Sequence, residues 1–218
     1  MERTFPRKLL IIIIMILLTI APTTVVNPQP KIVLDVPYVN QVYDVPKWFD
    51  GRYSCGAACV VMVLAYYNTL TPWPCNCSKP FPHISVYGNY IACKFKVGDF
   101  DFNEKAEDAS RIKYAYGIHG FIYIPWAGAS WERIVKVFEI FGFKAYIDTK
   151  LTWDKFISEL KEGRPVILST DMTRSGYLIV AIGYINNGSV IVNDPASDIR
   201  LGYYNYTRKA SSLRLARF

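Results

Sequence analysis

The sequence predicts a single α+β domain, because its helical segments come first and its strands come last. Three segments with helical signals precede three segments rich in β-branched residues. Two of those strands are joined by Asn186-Asn187-Gly188, and Asn-Gly is the strongest short signal for an antiparallel hairpin. Helices followed by antiparallel strands are typical of the α+β class, whereas a regular alternation of the two would predict a parallel sheet.

Length and composition agree with one globular domain. A chain of 218 residues can form one sizeable core, and it is too short for two ordinary catalytic domains. Hydrophobic residues make up 51% and aromatic residues 15% of the chain, which excludes an intrinsically disordered protein. We expect the domain at residues 32–207, after a linker at 27–31 and before a basic tail at 208–218.

The N-terminal residues 1–26 have the layout of a secretory signal. Three basic residues come before an apolar run from Leu9 to Ile20. A helix of this length would span about 18 Å, short of the roughly 30 Å of a bilayer core, so a cleaved signal peptide is favoured. Leu18–Ala21 has only one of the two small residues typical of a cleavage site, which keeps an uncleaved membrane anchor as the alternative. Either way, the domain is predicted to be extracellular or at the cell surface.

The net charge of +7 does not indicate a nucleic-acid-binding protein. Much of the excess lies at the two ends of the chain, and the sequence has no basic stripe with interleaved aromatic residues. It also lacks a glycine-rich phosphate-binding motif, so it implies no cofactor. We therefore expect neither a nucleic acid nor a cofactor as a partner.

The first predicted elements are a strand and a buried helix. Ile32–Val36 has strand composition, and Pro37 holds the preceding residue extended. The run Ala57–Tyr67 is apolar on nearly all sides and long enough for a buried helix, with Ser54 as its predicted N-cap. We expect the core to be organised around this helix.

Residues 71–125 form an irregular insertion rich in prolines and aromatic residues, which we expect disulfides to hold. The chain has an odd number of cysteines: Cys55, Cys59, Cys75, Cys77 and Cys93. In an exported protein one thiol then stays unpaired, and we expect it to be Cys55. The other four could form two disulfides, with Cys59 as a buried free thiol being the alternative. A zinc site that includes His83 is disfavoured, because Cys-x-Cys is not the usual metal-binding spacing.

The last part of the chain contains two amphipathic helices followed by strands. A helix at 131–141 begins after Ser130, another at 153–161 begins after Thr152, and a glycine soon after each helix ends it. Both patterns predict helices that pack on the core. The predicted strands are 165–170, 177–185 and 189–193.

The segment around Cys55 has the chemistry of a nucleophile. A cysteine in the first turn of a helix has its thiolate favoured by the helix dipole and by free backbone N–H groups. Gly56 beside it would let a substrate backbone come close. The alternative is that Cys55 is one more disulfide partner or core thiol.

Five segments of the sequence occur in a characteristic order: Asp35–Gln41, Cys55–Ala58, Gly163–Ile167, Gly176–Tyr184 and Val192–Pro195. Together they resemble the bacteriocin-processing, double-glycine-leader cysteine peptidases of peptidase family C-39. The resemblance runs from about Leu34 to Pro195, with poor coverage of residues 71–125. It implies a papain-like fold, in which the helix carrying the cysteine packs on an antiparallel sheet, and thiol-dependent cleavage of peptide bonds.

The resemblance assigns roles to three residues. It implies that Cys55 is the nucleophile, Gln41 the oxyanion-hole amide and Asp194 the acid that orients the base. Losing one oxyanion donor typically costs roughly 2.7–4 kcal/mol of transition-state stabilisation, so the Gln41 assignment matters for activity. Without the resemblance, Gln41 would read as a surface loop amide and Asp194 as a turn former before Pro195.

The catalytic base is where the chain departs from the family pattern. The family has Gly-His before the apolar strand, and this sequence has Gly176-Tyr177. A phenol with a reference pKa near 10 neither takes the thiol proton readily nor forms the ion pair that lowers a thiol pKa. The sequence therefore predicts either a very slow cysteine peptidase or an inactive pseudopeptidase that binds peptides or a protein partner. An amide-bond transferase is a third, weaker hypothesis.

Two further expectations concern the missing base. His119 could replace it if the flexible Gly117–Gly120 segment folded over Cys55. A two-residue Asn187-Gly188 turn would place Asp194 opposite Ala181, on the same face of the sheet as Tyr177. A bend or bulge would then be needed to bring the two side chains together, because four residues separate them along a straight ladder.

Overall fold

A computed structural model describes residues 30–78, 82–107, 113–170, 176–185, 189–196 and 213–214. The predicted signal or anchor at 1–26 and residues 27–29 of the linker lie outside these residues. None of the helices described is long and apolar enough to cross a membrane.

The described chain consists of short helices, one long buried helix and antiparallel strands. The helices are α1 (Cys55–Tyr66), α2 (Asn89–Ala92), α3 (Gly117–Ile122), α4 (Trp131–Ile140) and α5 (Trp153–Lys161). The first nine strands are β1 (Pro30–Val33), β2 (Cys75–Cys77), β3 (His83–Ser85), β4 (Phe95–Val97), β5 (Phe100–Phe102), β6 (Ala106–Glu107), β7 (Tyr114–Ala115), β8 (Tyr123–Ile124) and β9 (Gly128–Ala129). The last four are β10 (Val166–Thr170), β11 (Tyr177–Ile185), β12 (Ser189–Asn193) and β13 (Leu213–Arg214).

Helix α1 is the centre of the core, as predicted. All ten residues from Gly56 to Ala65 are buried, because the helix is apolar on every side. The predicted N-cap is wrong in its bonding. The Ser54 hydroxyl donates to the Gly51 carbonyl at 2.7 Å, in the turn before α1. It therefore makes no capping bond to the helix.

The main sheet has five antiparallel strands with β11 at its centre. Strand β12 pairs with β11, and β13, within the predicted basic tail, pairs with β12. Strands β1 and β10 pair with different halves of β11: Val33 lies opposite Gly183, and Val166 opposite Ala181. The bounds of β11 and β12 agree with the sequence-based prediction. The α+β class is confirmed.

The register between β11 and β12 differs from the one expected. Ile185 pairs with Ser189, so three residues separate the paired ends, and the predicted two-residue turn is wrong. A bulge between Ala181 and Gly183 then shifts the ladder by one residue. It follows that Asn193 pairs with Val180, closer to the start of β11 than expected. The bulge needed to bring Asp194 towards Tyr177 is therefore present.

The sheet lies between two helical layers. Leu178, Val180 and Ile182 of β11 belong to the core cluster around α1, whereas Ile179 and Ala181 pack in a second cluster with α5. This alternation follows from the two-residue period of a strand. Both faces of β11 are consequently buried, and α1 is fixed against one of them.

The two amphipathic helices begin where the sequence predicts. Ser130 accepts a hydrogen bond from the Arg133 N–H at the start of α4, and Thr152 accepts one from the Lys155 N–H at the start of α5. Their apolar sides face different layers: Val137 of α4 packs in the core cluster around α1, whereas Phe156 and Leu160 of α5 pack on the other face of the sheet. Both helices serve as core-packing elements.

Residues 71–125 are held by apolar packing and not by disulfides, contrary to expectation. The described part forms three two-stranded ribbons, the first strand of a fourth and two short helices. Ile91, Phe102, Ile118 and Ile122 are almost completely buried in the same cluster as α1. The region is thus part of the main core, because its apolar side chains find partners there.

No disulfide joins the five cysteines, all of which lie in the described chain. Cys59 is fully buried in α1, which agrees with the alternative that it is a free thiol. The Sγ atoms of Cys75 and Cys77 are 3.4 Å apart. The two side chains lie on the same face of one strand. Two residues of a strand span roughly 6.6–6.8 Å between their Cα atoms, which is near the upper limit for a disulfide. Within the described residues, no group of three or more metal-ligating side chains is arranged to hold an ion.

Candidate active site

Cys55 is the first residue of α1 and is partly buried. Burial raises the pKa of its thiol above the ordinary value, and the nearby charge of Asp194 acts in the same direction. The backbone N–H groups of Leu178, Gly56 and Cys55 itself lower that pKa by a smaller amount. The helix N-terminus therefore does not outweigh burial, and the net shift of the thiol pKa is upward.

Gly56 has a packing role that the sequence did not indicate. A Cβ at this position would lie 2.7 Å from the Cβ of Ala129 in β9 and 3.3 Å from Leu178. The lack of a side chain lets the protein's own β9 approach α1. The expectation that Gly56 makes room for a substrate backbone is therefore wrong.

Tyr177, at the start of β11, points its hydroxyl at Asp194. The phenol donates to Asp194 Oδ1 at 2.6 Å, and the same oxygen accepts the Ala196 N–H at 2.9 Å. Burial raises the pKa of Tyr177 far above its ordinary value, and the hydrogen bond and the charge of Asp194 raise it further. Tyr177 is thus a protonated donor that stabilises the carboxylate, at the position where the sequence analysis expected the family's base.

Gln41 is buried, with 2% of its surface exposed, so the alternative of a surface loop amide is wrong. Its side-chain Nε2 donates to the Arg52 carbonyl at 2.9 Å. Its Oε1 is buried and has no hydrogen-bonding partner within the described structure. A buried amide oxygen without a partner costs free energy, and a ligand that donates a hydrogen bond to it would remove that cost. Gln41 is therefore suited to contact a ligand.

Three hydrogen bonds connect the segment before α1 with the end of β12. The Tyr38 hydroxyl donates to the Asp194 carbonyl at 2.8 Å, and the Gln41 N–H donates to the Pro195 carbonyl at 2.8 Å. The Asn193 side-chain amide donates to the Val36 carbonyl at 3.0 Å. These bonds fix Gln41 relative to Asp194, although more than 150 residues separate them in the chain.

A cleft of about 690 Å³ opens at these residues. Cys55, Gln41 and Tyr177 line one part of it, so the structure brings the predicted nucleophile, amide and substituted base to one site. Its other walls are rich in aromatic and small residues, among them Tyr53, Tyr123, Trp126, Gly128 and Trp131. A concave site with a few convergent polar groups is the usual form of a ligand-binding pocket.

The family comparison agrees with this geometry. Residues 33–215 match the model of the Peptidase_C39 like family. The chain belongs to this family. The match confirms the predicted resemblance and the papain-like α+β arrangement, and it makes the chain a C-39-like peptidase domain. No curated protein matches the chain significantly.

His119 of this C-39-like domain does not line the cleft. The residue is 2% exposed, and its ring stacks on Tyr123 at a centroid distance of 4.6 Å and meets Phe49 edge-on at 5.2 Å. The placement gives it a structural role in α3, and the expectation that it folds over Cys55 receives no support. His83 lies in β3, where its Nε2 is 3.0 Å from Asp44 Oδ1, and it does not line the cleft either.

The C-39-like cleft also contains residues that the sequence analysis missed. Glu107, Tyr123 and Trp126 line it, and all three come from or follow the region that the resemblance covers poorly. Trp126 is 83% exposed at the tip of the β8–β9 ribbon and has a positive φ of 68°. The only available signal was the high aromatic content of the segment, because nothing local shows which rings face a cleft.

Proposed function

We propose that this chain is an exported C-39-like domain that binds an extended peptide in its cleft and does not hydrolyse it at the rate of an ordinary cysteine peptidase. The observation that carries the proposal is the 2.6 Å hydrogen bond from the Tyr177 hydroxyl to Asp194 Oδ1. Through that bond, Asp194, the predicted acid of the site, is paired with a phenol that keeps its proton.

The proton balance of the reaction explains why hydrolysis would be slow. The Cys55 sulfur must bond to the peptide carbonyl carbon while its proton passes to a base. When the C–N bond breaks, the same proton must reach the leaving amine, and water then releases the acyl group from sulfur. Tyr177 can take no proton at neutral pH, and general acid–base catalysis is worth roughly 10²–10⁴-fold.

Several features support retained peptide binding. The cleft is open, and Gln41 is one of its lining residues, with its buried Oε1 lacking a partner among the described residues. Gly128 and Ala129 of β9 form part of its wall, where small residues leave the backbone within reach of a ligand. An extended peptide has both donors and acceptors along its backbone, so it can satisfy such groups.

A slow peptidase is the second candidate, and a separate observation favours it. The backbone N–H groups of Cys55, Gly56 and Leu178 all lower the thiol pKa, as they would for a nucleophile. Gln41 also remains in the cleft beside Cys55. The two candidates share the ligand and differ only in whether Cys55 forms an acyl-enzyme.

The pH dependence of Cys55 alkylation tests which candidate is right. Because burial raises the thiol pKa, we expect the iodoacetamide rate to keep rising with pH up to pH 9, with no plateau near pH 6. The measurement is intact-mass labelling of the full chain, with Cys55→Ala to identify the site among five free thiols. A fast, pH-independent rate between pH 6 and 7 that disappears in Cys55→Ala would contradict the proposal and support the peptidase.

Export is the part of the proposal that rests on the N-terminal segment alone. We expect expression of the full gene product to yield either a chain shortened near Ala21 or an intact chain in the membrane fraction. N-terminal mass analysis after cell fractionation distinguishes the two. Recovery of the intact chain in the soluble cytoplasmic fraction would refute export.

A further inference from the structure

A turn at residues 40–44, which we call the Gln41 turn, carries the amide that lines the cleft. Asn40 is buried at its start, and its Oδ1 atom accepts the N–H groups of Val42 and Tyr43, both at 2.8 Å. Side-chain bonds of this kind to nearby N–H groups hold a turn in one conformation. Asn40 therefore fixes the backbone that flanks Gln41.

Asp44 ends the Gln41 turn and joins it to the ribbon formed by β2 and β3. Its Oδ2 atom accepts the Asn40 N–H at 2.8 Å, and its Oδ1 atom lies 3.0 Å from Nε2 of His83 in β3. An ionised carboxylate only accepts hydrogen bonds, so the imidazole Nε2–H is the donor. The carboxylate thus connects the turn to the region 71–125, whose role in the site the sequence does not indicate.

The backbone of Asp44 is enclosed by the same ribbon. The Cys75 thiol of β2 donates to the Asp44 carbonyl oxygen at 3.4 Å. A Cβ at Gly88, soon after β3, would lie only 1.5 Å from that oxygen, so only glycine permits the approach. Asp44 is therefore held at its side chain and at its backbone by residues of the region 71–125.

The Gln41 turn is also bonded to the segment that carries the predicted acid. The Asn40 side-chain Nδ2 donates to the Tyr38 hydroxyl at 3.2 Å, and that hydroxyl donates to the Asp194 carbonyl at 2.8 Å. A continuous series of hydrogen bonds therefore runs from the β2–β3 ribbon through Asp44 and Asn40 to Asp194. Linked hydrogen bonds of this kind hold their members in one arrangement, because each group orients the next.

We propose that Asp44 is a positioning residue of the cleft: its carboxylate, held by His83 of the β2–β3 ribbon, fixes the Gln41 turn so that the Gln41 amide meets the bound peptide. The proposal rests on the peptide-binding function proposed above, and it assigns a role to part of the region 71–125. Asp44 does not line the cleft, so it acts through Gln41 and not on the ligand. A group that is already in place when the ligand arrives loses little freedom on binding, which is why fixing the turn strengthens binding.

Asp44→Asn tests the positioning role with a side chain of nearly the same shape. An amide has one accepting oxygen, so it cannot accept from both the His83 imidazole and the Asn40 N–H. The probe is a fluorescein-labelled degenerate heptapeptide pool, and its binding to the full chain is measured by anisotropy. We expect Asp44→Asn to weaken binding about three- to tenfold, as Gln41→Ala should, because the effect of each is that of one net hydrogen bond.

Asp148→Asn is the matched control. The Asp148 carboxylate also accepts a backbone N–H, from Lys150 at 2.8 Å, and a side-chain donor, from Lys155 at 2.5 Å. Its side chain is 18% exposed, against 14% for Asp44, but it does not line the cleft. This variant should bind the pool as tightly as the unmodified chain.

Two variants of His83 test whether the ribbon holds Asp44 through its hydrogen bond. His83→Leu removes the donor and should weaken binding of the pool as Asp44→Asn does. His83→Gln supplies an amide N–H near the place of Nε2, so it should restore most of the affinity. Equal losses in the two variants, or no loss in His83→Leu, would overturn this part of the proposal.

A double-mutant cycle separates positioning from a general loss of stability. If Asp44 acts through Gln41, the double variant Gln41→Ala/Asp44→Asn should bind the pool no more weakly than Gln41→Ala alone. A residue with a merely structural role would lower the free energy of unfolding, but its effect on affinity would not depend on Gln41. Denaturant unfolding confirms that each variant is folded under the conditions of the binding assay.

The outcomes distinguish this proposal from the one on which it rests. Unchanged binding by Asp44→Asn, or a loss that is just as large in the Gln41→Ala background, would overturn the positioning role and leave peptide binding intact. If Gln41→Ala binds the pool as tightly as the unmodified chain, the ligand does not use the amide, and the positioning role is again wrong. Failure of the unmodified chain to bind the pool would overturn both the positioning role and the peptide-binding function.

Discussion

Tyr177→His is expected to raise hydrolysis of a bound peptide by about 10²–10⁴-fold, the usual contribution of general acid–base catalysis. An imidazole at this position can take the Cys55 proton and return it to the leaving amine, whereas the phenol cannot. Its other ring nitrogen can donate to Asp194, whose Oδ1 now accepts the Tyr177 hydroxyl at 2.6 Å. Cleavage of quenched fluorescent peptide pools by the full chain measures the change.

The controls for this variant separate the base from the loss of the hydroxyl. Tyr177→Phe removes the bond to Asp194 and supplies no base, so it should leave hydrolysis at the low level of the unmodified chain. Adding Cys55→Ala to Tyr177→His should abolish the gain. If Tyr177→His folds normally yet cleaves no faster than Tyr177→Phe, the missing base is not what limits the domain, and the proposed reason for inactivity is wrong.

Gly51→Ala is expected to destabilise the domain by about 2–5 kcal/mol, as the sum of backbone strain and steric overlap. Gly51 has a φ of +76°, and a Cβ there would lie 1.8 Å from the backbone carbonyl oxygen of Gln41. Neither atom can move without displacing the Gln41 segment or the turn that begins α1. Denaturant unfolding of the purified chain measures the loss of free energy.

Gly142→Ala is the matched control for the steric part. Gly142 also has a positive φ, +85°, but no atom of the described structure lies within 4 Å of the position its Cβ would occupy. This variant should lose only about 1–2 kcal/mol, from the strained backbone alone. Equal losses in the two variants would show that the Gln41 segment moves freely, and that Gly51 does not fix the amide beside Cys55.

The elements that sequence reasoning located correctly depend on neighbours in the chain. The apolar run of α1, the capping residues Ser130 and Thr152, and the bounds of β11 all follow from local periodicity or from hydrogen bonds across a few residues. Errors arose where the local sequence left a choice of partners or where a distant segment decided the outcome. Ser54 bonds back to Gly51 instead of capping α1, and Gly56 leaves room for Ala129 of β9.

Three of the four predicted site residues line one cleft, whereas the sequence analysis did not predict the other walls of that cleft. Cys55, Gln41 and Tyr177 line one cleft, because α1, the segment before it and β11 pack against one another. The rings of Tyr123 and Trp126 reach that cleft from a ribbon whose place in the fold no local pattern specifies. Disulfides were expected from cysteine number and compartment, whereas apolar contacts hold the same region in the structure.

The sequence by itself determined the α+β order of elements and the family resemblance, and it carries the prediction that Tyr177 stands where the family has a histidine. Each of these is a property of residue identity or of short-range spacing. Only the tertiary structure decided that a bulge between Ala181 and Gly183 brings Asp194 within 2.6 Å of the Tyr177 hydroxyl, and that Gln41 is buried beside Cys55. These contacts join different secondary-structure elements, so their geometry is set by how the whole core packs and not by the residues next to them.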